Sequence, residues 1–232
     1  MNTKIYCDIA DLDTIKKFTK KKIVKGFTTN PSLMRKAGAK NYKSYSKKIL
    51  NIIKSKPVSF EVFADNKKDM IRQANVISSW GRNVYVKVPL VNSKGQFMGD
   101  VIKYLTKNRI KINITAVYNF QQVLKIIKNI NKNSDVIISM FVGRAGDVGK
   151  NPIPELKKIL KLTKPYKKTK ILWASVREPY NYIQARELGF HVITVPPSII
   201  EKIEKFGKNY NDLTIETVKG FLNDSKQSRF KI

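Results

Sequence analysis

The chain has 232 residues, enough for one domain or two small ones with a core that needs no metal or disulfide staple. Hydrophobic residues at 42% and charged residues at 27% exclude a wholly disordered, collagen-like or membrane-embedded polymer. Charge is the outlier, with 46 Lys+Arg against 17 Asp+Glu and a net +29. Because 38 of those cations are Lys spread along the whole chain beside many Ile and Asn, the excess reads first as compositional bias, not as a nucleic-acid face.

Short β-branched or aromatic runs alternate with longer amphipathic segments. The strands are expected at KIYCDI from Lys4, KGFTTN from Lys25, PVSFEVFA from Pro57, NVYVKVP from Asn83, KINITAV from Lys111, DVIISMF from Asp135, KILWASV from Lys170 and HVITVP from His191. Helices fall between them. Asp11 is placed to cap the first, Tyr42 to Lys54 carries a helical apolar stripe, Asn66 is placed to cap Lys67 to Trp80, and Asn119 to cap Phe120 to Ile130. Pro179 and Pro197 stand where helix first turns tolerate proline. Eight such pairs without a composition break predict an α/β chain forming a single (β/α)₈ TIM barrel over 1–232, with one further helix around Thr214 to Leu222. No GxGxxG or Walker A run is present to favour a doubly wound nucleotide-binding sheet.

A lone Cys7 cannot form an internal disulfide, and with a lone His191 it cannot assemble a usual zinc set. No metal is expected, although Mg²⁺ on carboxylates stays open. The reactive groups are therefore Lys, Asp, Glu, Ser, Thr, Tyr or Arg. Met1 runs directly into the first strand without a signal-peptide core, and no apolar run reaches a membrane span of ~18 residues, so the reading is a cytoplasmic protein with no membrane partner.

Barrel enzymes carry their chemistry at the C-terminal ends of the strands, where this sequence places Asp8, Asn30, Glu61, Lys87, Asn113, Thr115, Ser139, Arg144, Ser175 and Arg177. Glu61, Lys87, Asn113 and Ser139 are separated by equal intervals of 26, which puts them at matching stations of successive βα units. Alternation sets Val84, Val86 and Val88 on one face of their strand, and Tyr85 with Lys87 on the other. Burial of a lysine in a barrel disfavours its charged form and leaves an amine able to attack a carbonyl; snorkelling to the surface or pairing with a carboxylate is the alternative. Asp8 and Glu61 are either such partners or the groups that move protons as a carbon–carbon bond breaks. Asn30, Asn113, Thr115 and Ser139 suit a polyhydroxylated substrate, though amides also cap helices. Arg144 and Arg177, two of only 8 arginines, sit one per loop beside Ser175 and suit a phosphate dianion.

The runs TTNPSL (Thr28 to Leu33), SFEVFA (Ser59 to Ala64), YVKVP (Tyr85 to Pro89), INIT (Ile112 to Thr115), SMFVGR (Ser139 to Arg144, with Asp147 after it) and WASVR (Trp173 to Arg177) resemble the transaldolase family, particularly its small single-barrel members. The resemblance implies cofactor-free class I aldol transfer on phosphorylated sugars, with sedoheptulose 7-phosphate and fructose 6-phosphate as default ketoses and a place in the pentose phosphate pathway. It implies that Lys87 forms the Schiff base, Asp8 is the acid/base, and Glu61 with Thr115 relays protons through a water. It also implies that Thr29, Asn30, Asn113, Ser139 and Phe141 surround the dihydroxyacetone unit, and that Arg144, Ser175 and Arg177 bind the phosphate. A branch similar to fructose 6-phosphate aldolase, which releases free dihydroxyacetone, typically has Gln at position 61 and Tyr at position 141, so Glu61 and Phe141 lean toward transfer. Two departures bear on the acceptor sugar: the longer run LVNSKGQFMGD after Pro89, and Glu178 beside Arg177. Small members are often rings, so a homo-oligomer using the terminal helix is expected, with no specific nucleic-acid partner.

Overall fold

The computed structural model describes residues 3–229. In chain order the elements are β1 (Lys4–Asp8), α1 (Leu12–Thr19), β2 (Val24–Thr28), α2 (Pro31–Lys36), α3 (Tyr42–Ile52), β3 (Val58–Glu61), α4 (Lys67–Ser78), β4 (Val84–Pro89), α5 (Gly99–Lys107) and β5 (Ile112–Val117). They continue with α6 (Phe120–Ile127), β6 (Val136–Phe141), α7 (Val142–Asp147), α8 (Ile153–Thr163), β7 (Thr169–Ala174), α9 (Tyr180–Leu188), β8 (Val192–Val195), α10 (Pro197–Ile203) and α11 (Tyr210–Ser228). The strands are parallel and close in sequence order, β1 meeting β8, which makes the expected TIM barrel with a C-terminal helix. No helix among the described residues is long and apolar enough to cross a membrane.

Local chemistry explains the boundaries. Asp11, Asn66 and Asn119 each accept the backbone N–H three residues on, and Gln122 returns the favour to Asn119 in a capping box. Apolar side chains divide by strand parity. Val84, Val86 and Val88 pack outward under the helices, whereas Tyr6, Tyr85, Ile137, Leu172 and Val192 fill the barrel interior. Gly26 is required there, since a Cβ would fall 2.6 Å from the Tyr6 ring.

The equal spacing of 26 survives only in part. Glu61 registers with Lys87 and Lys87 with Asn113, but Asn113 registers with Ile137, so Ser139 stands two residues further up its strand. From Asn113 to its partner Ile137 is 24 residues, so the β5–β6 unit is two residues shorter than the two before it. Every strand is also shorter than its apolar run. Asn30 and Val176 lie in loops, and Arg144 rides on the short helix α7.

Candidate active site

Lys87 occupies the inward face of β4 near its C-terminal end and is 9% exposed. Its Nζ lies 3.0 Å from Glu61 Oε2 and donates to the Thr29 carbonyl at 3.3 Å. The amine is thus held by a carboxylate on the neighbouring strand β3, the pairing alternative that the sequence left open. Tyr42 fixes Glu61 from behind, accepting its N–H at 2.9 Å and donating to its carbonyl at 3.0 Å.

Asp8 ends β1 and accepts from Thr28 Oγ1 at 2.7 Å; Thr28 in turn shares a 2.5 Å hydroxyl contact with Thr194 on β8. Burial pushes the Asp8 carboxyl above the ordinary range, opposed by the positive charge of Lys87 and by the Thr28 hydrogen bond. A carboxyl held in this way is suited to taking and returning a proton. Neighbouring Cys7 is buried, and burial together with Asp8 pushes its thiol up, so it stays protonated and is no competing nucleophile.

Across the barrel, Ser139 Oγ donates to Asn113 Oδ1 at 2.7 Å and Asn113 Nδ2 donates to Ser59 Oγ at 3.1 Å, a buried polar chain linking β6, β5 and β3. Thr115 Oγ1 is buried without a hydrogen-bond partner among the described residues. An orphan hydroxyl beside this set is where a water or substrate oxygen belongs.

Two positions have one polar group each committed within the fold. Asn30 Oδ1 accepts from the Leu33 N–H at 2.9 Å as the N-cap of α2, which leaves only its NH₂ uncommitted. The Thr29 hydroxyl is wholly buried and donates to the Ser59 carbonyl, so what Thr29 offers toward the site is its own carbonyl, on Lys87.

The arginines stand at the rim. Arg144 lies 5.7 Å from the Phe141 ring centroid, and Phe141 packs edge-on against Tyr118. Arg177 directs Nε and Nη2 at Asp147, and that pairing holds the Asp147 carboxyl below the usual range. The α7 and post-β7 loops approach so closely that a Cβ on Gly143 would fall 1.7 Å from the Ser175 carbonyl. Ser175 (φ 63) and Ala116 (φ 60), following β7 and Thr115 respectively, both adopt the left-handed backbone conformation; such strain costs of order 1–3 kcal/mol and collects at functional faces. After β4, the run from Val91 to Phe97 forms a hairpin pinned when Asp65 accepts from Ser93 N at 2.7 Å and Ser93 Oγ at 2.5 Å. Glu178 is exposed and forms no ion pair among the described residues.

Sequence reasoning did not single out Thr28, Ser59, Thr194 or Tyr42. Thr28 and Ser59 share strand parity with Asn30 and Glu61, which it did name; Thr194 lies on β8, where it named no site residue, and Tyr42 reaches from α3 with no local signal to mark it.

Comparison with known proteins matches a family model described as Transaldolase/Fructose-6-phosphate aldolase over residues 5–232. A "Probable transaldolase" of Nitrosopumilus maritimus is 36% identical over 203 residues, covering 86% of each chain. One of Herpetosiphon aurantiacus is 32% identical over 225 residues, covering 97% of this chain and 95% of its own. Among solved structures, 3-hexulose-6-phosphate synthase from Salmonella typhimurium superposes with a TM-score of 0.60 at 16% identity, covering 87% of this chain and 91% of that one, a likeness of fold alone. With matching motifs gathered at one end of a closed barrel, the chain belongs to the transaldolase/fructose-6-phosphate aldolase family.

Proposed function

We propose that the protein is a transaldolase that moves a dihydroxyacetone unit from a ketose phosphate to an aldose phosphate. The observation that carries this reading is Lys87 Nζ at 3.0 Å from Glu61, with its positive charge acting on the buried Asp8 carboxyl, at the C-terminal end of a barrel strand. The Lys87 amine adds to the ketose carbonyl carbon, and loss of water gives an iminium. Asp8 takes the proton of the hydroxyl beyond the scissile bond as that bond breaks and the aldose phosphate leaves. The remaining enamine adds to the acceptor aldehyde, and water releases the new ketose from Lys87. Glu61, paired with Lys87, and the unpartnered Thr115 hydroxyl are placed to relay protons through a water. Asn113, Ser139 and the Asn30 amide hold the dihydroxyacetone hydroxyls beside Phe141, with the Thr29 carbonyl positioning Lys87. Arg144, Arg177 and Ser175 receive the phosphate. Sedoheptulose 7-phosphate and fructose 6-phosphate are the ketoses we assign, in the pentose phosphate pathway and in the cytoplasm.

Borohydride trapping with fructose 6-phosphate tests this. A three-carbon adduct at Lys87, lost in Lys87→Met, supports the reading; trapping that persists in Lys87→Met overturns it. A second reading, aldol cleavage releasing free dihydroxyacetone, is favoured by Tyr118, which brings a phenol against Phe141. Free dihydroxyacetone formed without an acceptor aldehyde would establish that mode.

We also propose that a second copy of the chain covers α11. This helix has no buried residue and exposes Leu213, Ile215, Val218, Phe221 and Leu222, each at least half exposed. A 19-residue helix without tertiary packing is marginal in water, so such a face calls for a partner. Light scattering of the parent and of Phe221→Asp reads the assembly directly.

A further inference from the structure

At the end of β3 the ladder to β2 stops short. The two strands pair at Phe27–Val58 and Thr28–Ser59, and just beyond β2 the Thr29 N–H still donates to the Ser59 carbonyl at 3.1 Å. In a parallel ladder the next bond runs from the Glu61 N–H to the Thr29 carbonyl, and the one after it from the N–H of residue 31 to the Glu61 carbonyl. Residue 31 is Pro31, which has no N–H and opens α2. The Glu61 N–H does not go to Thr29 either. It donates at 2.9 Å to Tyr42 Oη, which in turn donates to the Glu61 carbonyl at 3.0 Å. The Thr29 carbonyl, released from the ladder, accepts from Lys87 Nζ at 3.3 Å.

One hydroxyl, acceptor and donor at once, thus stands where a strand residue would stand. Its place is tightly determined. Asn41 caps α3 by accepting from the Ser44 N–H, which fixes the first turn that carries Tyr42. The phenol ring packs edge-on against Phe63 at 5.4 Å and lies 6.0 Å from Trp80, both between ring centroids. Beyond Glu61, the Val62 N–H donates to the Lys87 carbonyl, and Gln73 Oε1 accepts from the N–H groups of Phe63 and Ala64. Burial pushes the Tyr42 phenol above its ordinary range; its hydrogen bond with the Glu61 backbone opposes this and the Glu61 charge adds to it. The hydroxyl therefore keeps its proton and acts through where it holds Glu61.

We propose that Tyr42 is a positioning residue for the Lys87–Glu61 pair: its hydroxyl replaces the missing β2 partner of Glu61, sets the carboxylate against the amine, and leaves the Thr29 carbonyl to Lys87. This role rests on the reading of Lys87 as the amine that attacks a ketose, so one of its two tests needs no sugar. In Tyr42→Phe the ring stays but the Glu61 N–H is free to close on the Thr29 carbonyl, and Lys87 loses that acceptor. The first test is reductive methylation of the full chain with formaldehyde and cyanoborohydride at about pH 7, read at Lys87 by peptide mass relative to the exposed Lys157. The second is steady-state kinetics on fructose 6-phosphate with an aldose phosphate acceptor. Tyr45→Phe is the control for both, since Tyr45 also lies on α3 and its hydroxyl reaches the Ala10 and Ala37 carbonyls at 3.2 and 3.1 Å.

Lys87 in Tyr42→Phe should be methylated at least about threefold faster than in the parent, because an ammonium that has lost a hydrogen-bond acceptor gives up its proton more readily. In Tyr45→Phe the rate should stay within about 1.5-fold of the parent's. Tyr42→Phe should also lower kcat at least about tenfold with KM within about twofold, since the displaced carboxylate moves protons and does not hold the sugar. In a Glu61→Gln background, where no carboxylate remains to be positioned, the same substitution should cost less than about twofold. Unchanged methylation in Tyr42→Phe overturns the proposal, as does equal acceleration in Tyr45→Phe, which would mean general loosening of α3. A parental kcat overturns it too, and so does a full kcat loss that persists in Glu61→Gln. A Tyr42→Phe chain that does not fold makes the hydroxyl structural and also overturns it. If the parent neither traps nor turns over any ketose phosphate, it is the transaldolase reading that fails, and the methylation rates still decide whether Tyr42 holds the pair.

Discussion

Replacing Gly143 by Ala tests how the phosphate end of the site is built. The added Cβ falls 1.7 Å from the Ser175 carbonyl oxygen and 3.1 Å from Arg177 Cγ, where real Cβ contacts essentially never come under 3.0 Å. Because the nearest obstacle is backbone, the loops after β6 and β7 must part by roughly 1.3 Å to bring the 1.7 Å contact to 3.0 Å, and no side chain can rotate away to spare them. Overpacking of this kind costs about 1–3 kcal/mol, which in a chain of this length lowers Tm by roughly 2–12 °C. The same parting moves Arg144 away from Arg177, and a displacement near 1 Å costs up to about 10²-fold in rate for a correctly held substrate. The expected signature is selective. KM for a ketose phosphate rises at least about tenfold, whereas borohydride trapping of unphosphorylated dihydroxyacetone at Lys87 changes less than about twofold, since Lys87 and Glu61 lie on other strands. Differential scanning fluorimetry with steady-state kinetics decides it. A variant with parental Tm and KM would mean that the close approach of the two loops does not set the phosphate site.

Three further outcomes follow from named contacts. Asp8 has its folded pKa raised by burial above an ordinary value of 3.8, so the folded chain holds its proton more tightly than the unfolded one, and the stability due to that proton is fully present below the ordinary value and lost as pH rises through the raised one. Asp8→Asn, which keeps an acceptor for Thr28, should gain in Tm over the parent as pH goes from about 4 to about 8, by about 1.4 kcal/mol per unit of elevation; a gap that narrows with pH contradicts the burial argument. Ala116→Gly removes a strained left-handed Ala and should raise Tm by a few °C at about 1 kcal/mol, with a lower Tm as the refuting result in thermal melts. Asp147→Asn releases the Arg177 fork, but both side chains are nearly half exposed, so the pair contributes at most about 1 kcal/mol and KM for the ketose phosphate should rise no more than about fivefold; a falling KM would show Asp147 to be a competitor of the phosphate.

What the sequence displayed well was local. The caps at Asp11, Asn66 and Asn119 operate over three residues, and the two-residue parity of β4 separated Lys87 from Val86 and Val88 without any knowledge of the fold. Asn30 had the same local signal in the Asn30–Pro31 pair, a cap followed by proline in the first turn, and only its side-chain oxygen is spent on that cap. Other features depend on distances that no window contains. Asp147 meets Arg177 thirty residues away, Gly143 is demanded by a carbonyl on the next unit, and Ser139 overshoots Asn113 because strand pairing, not sequence interval, sets the register, and the β5–β6 unit is two residues shorter than its predecessors.

That shorter unit is also what assembles the chemistry. With strict spacing, Ser139 would sit level with Asn113 and the inward ring would hold Glu61, Lys87, Asn113 and Ser139 as four equivalent stations. Lying two residues beyond the position paired with Asn113, Ser139 donates its hydroxyl to the Asn113 amide oxygen, while the amide nitrogen reaches back toward Ser59. Asn113 is thereby fixed in one orientation, both ends of its amide engaged, and Thr115 is left two residues above it with a buried hydroxyl that has no hydrogen-bond partner among the described residues. The amine, its carboxylate and the orphan hydroxyl therefore occupy β4, β3 and β5, three consecutive staves whose mutual register is exact at Lys87 and whose outer neighbour supplies the brace. A substitution that shortens the brace, Ser139→Ala, frees the Asn113 oxygen and should disturb substrate orientation before it disturbs Lys87. Trapping at Lys87 should persist while kcat/KM falls, and loss of trapping would place Ser139 closer to the amine chemistry than this register allows.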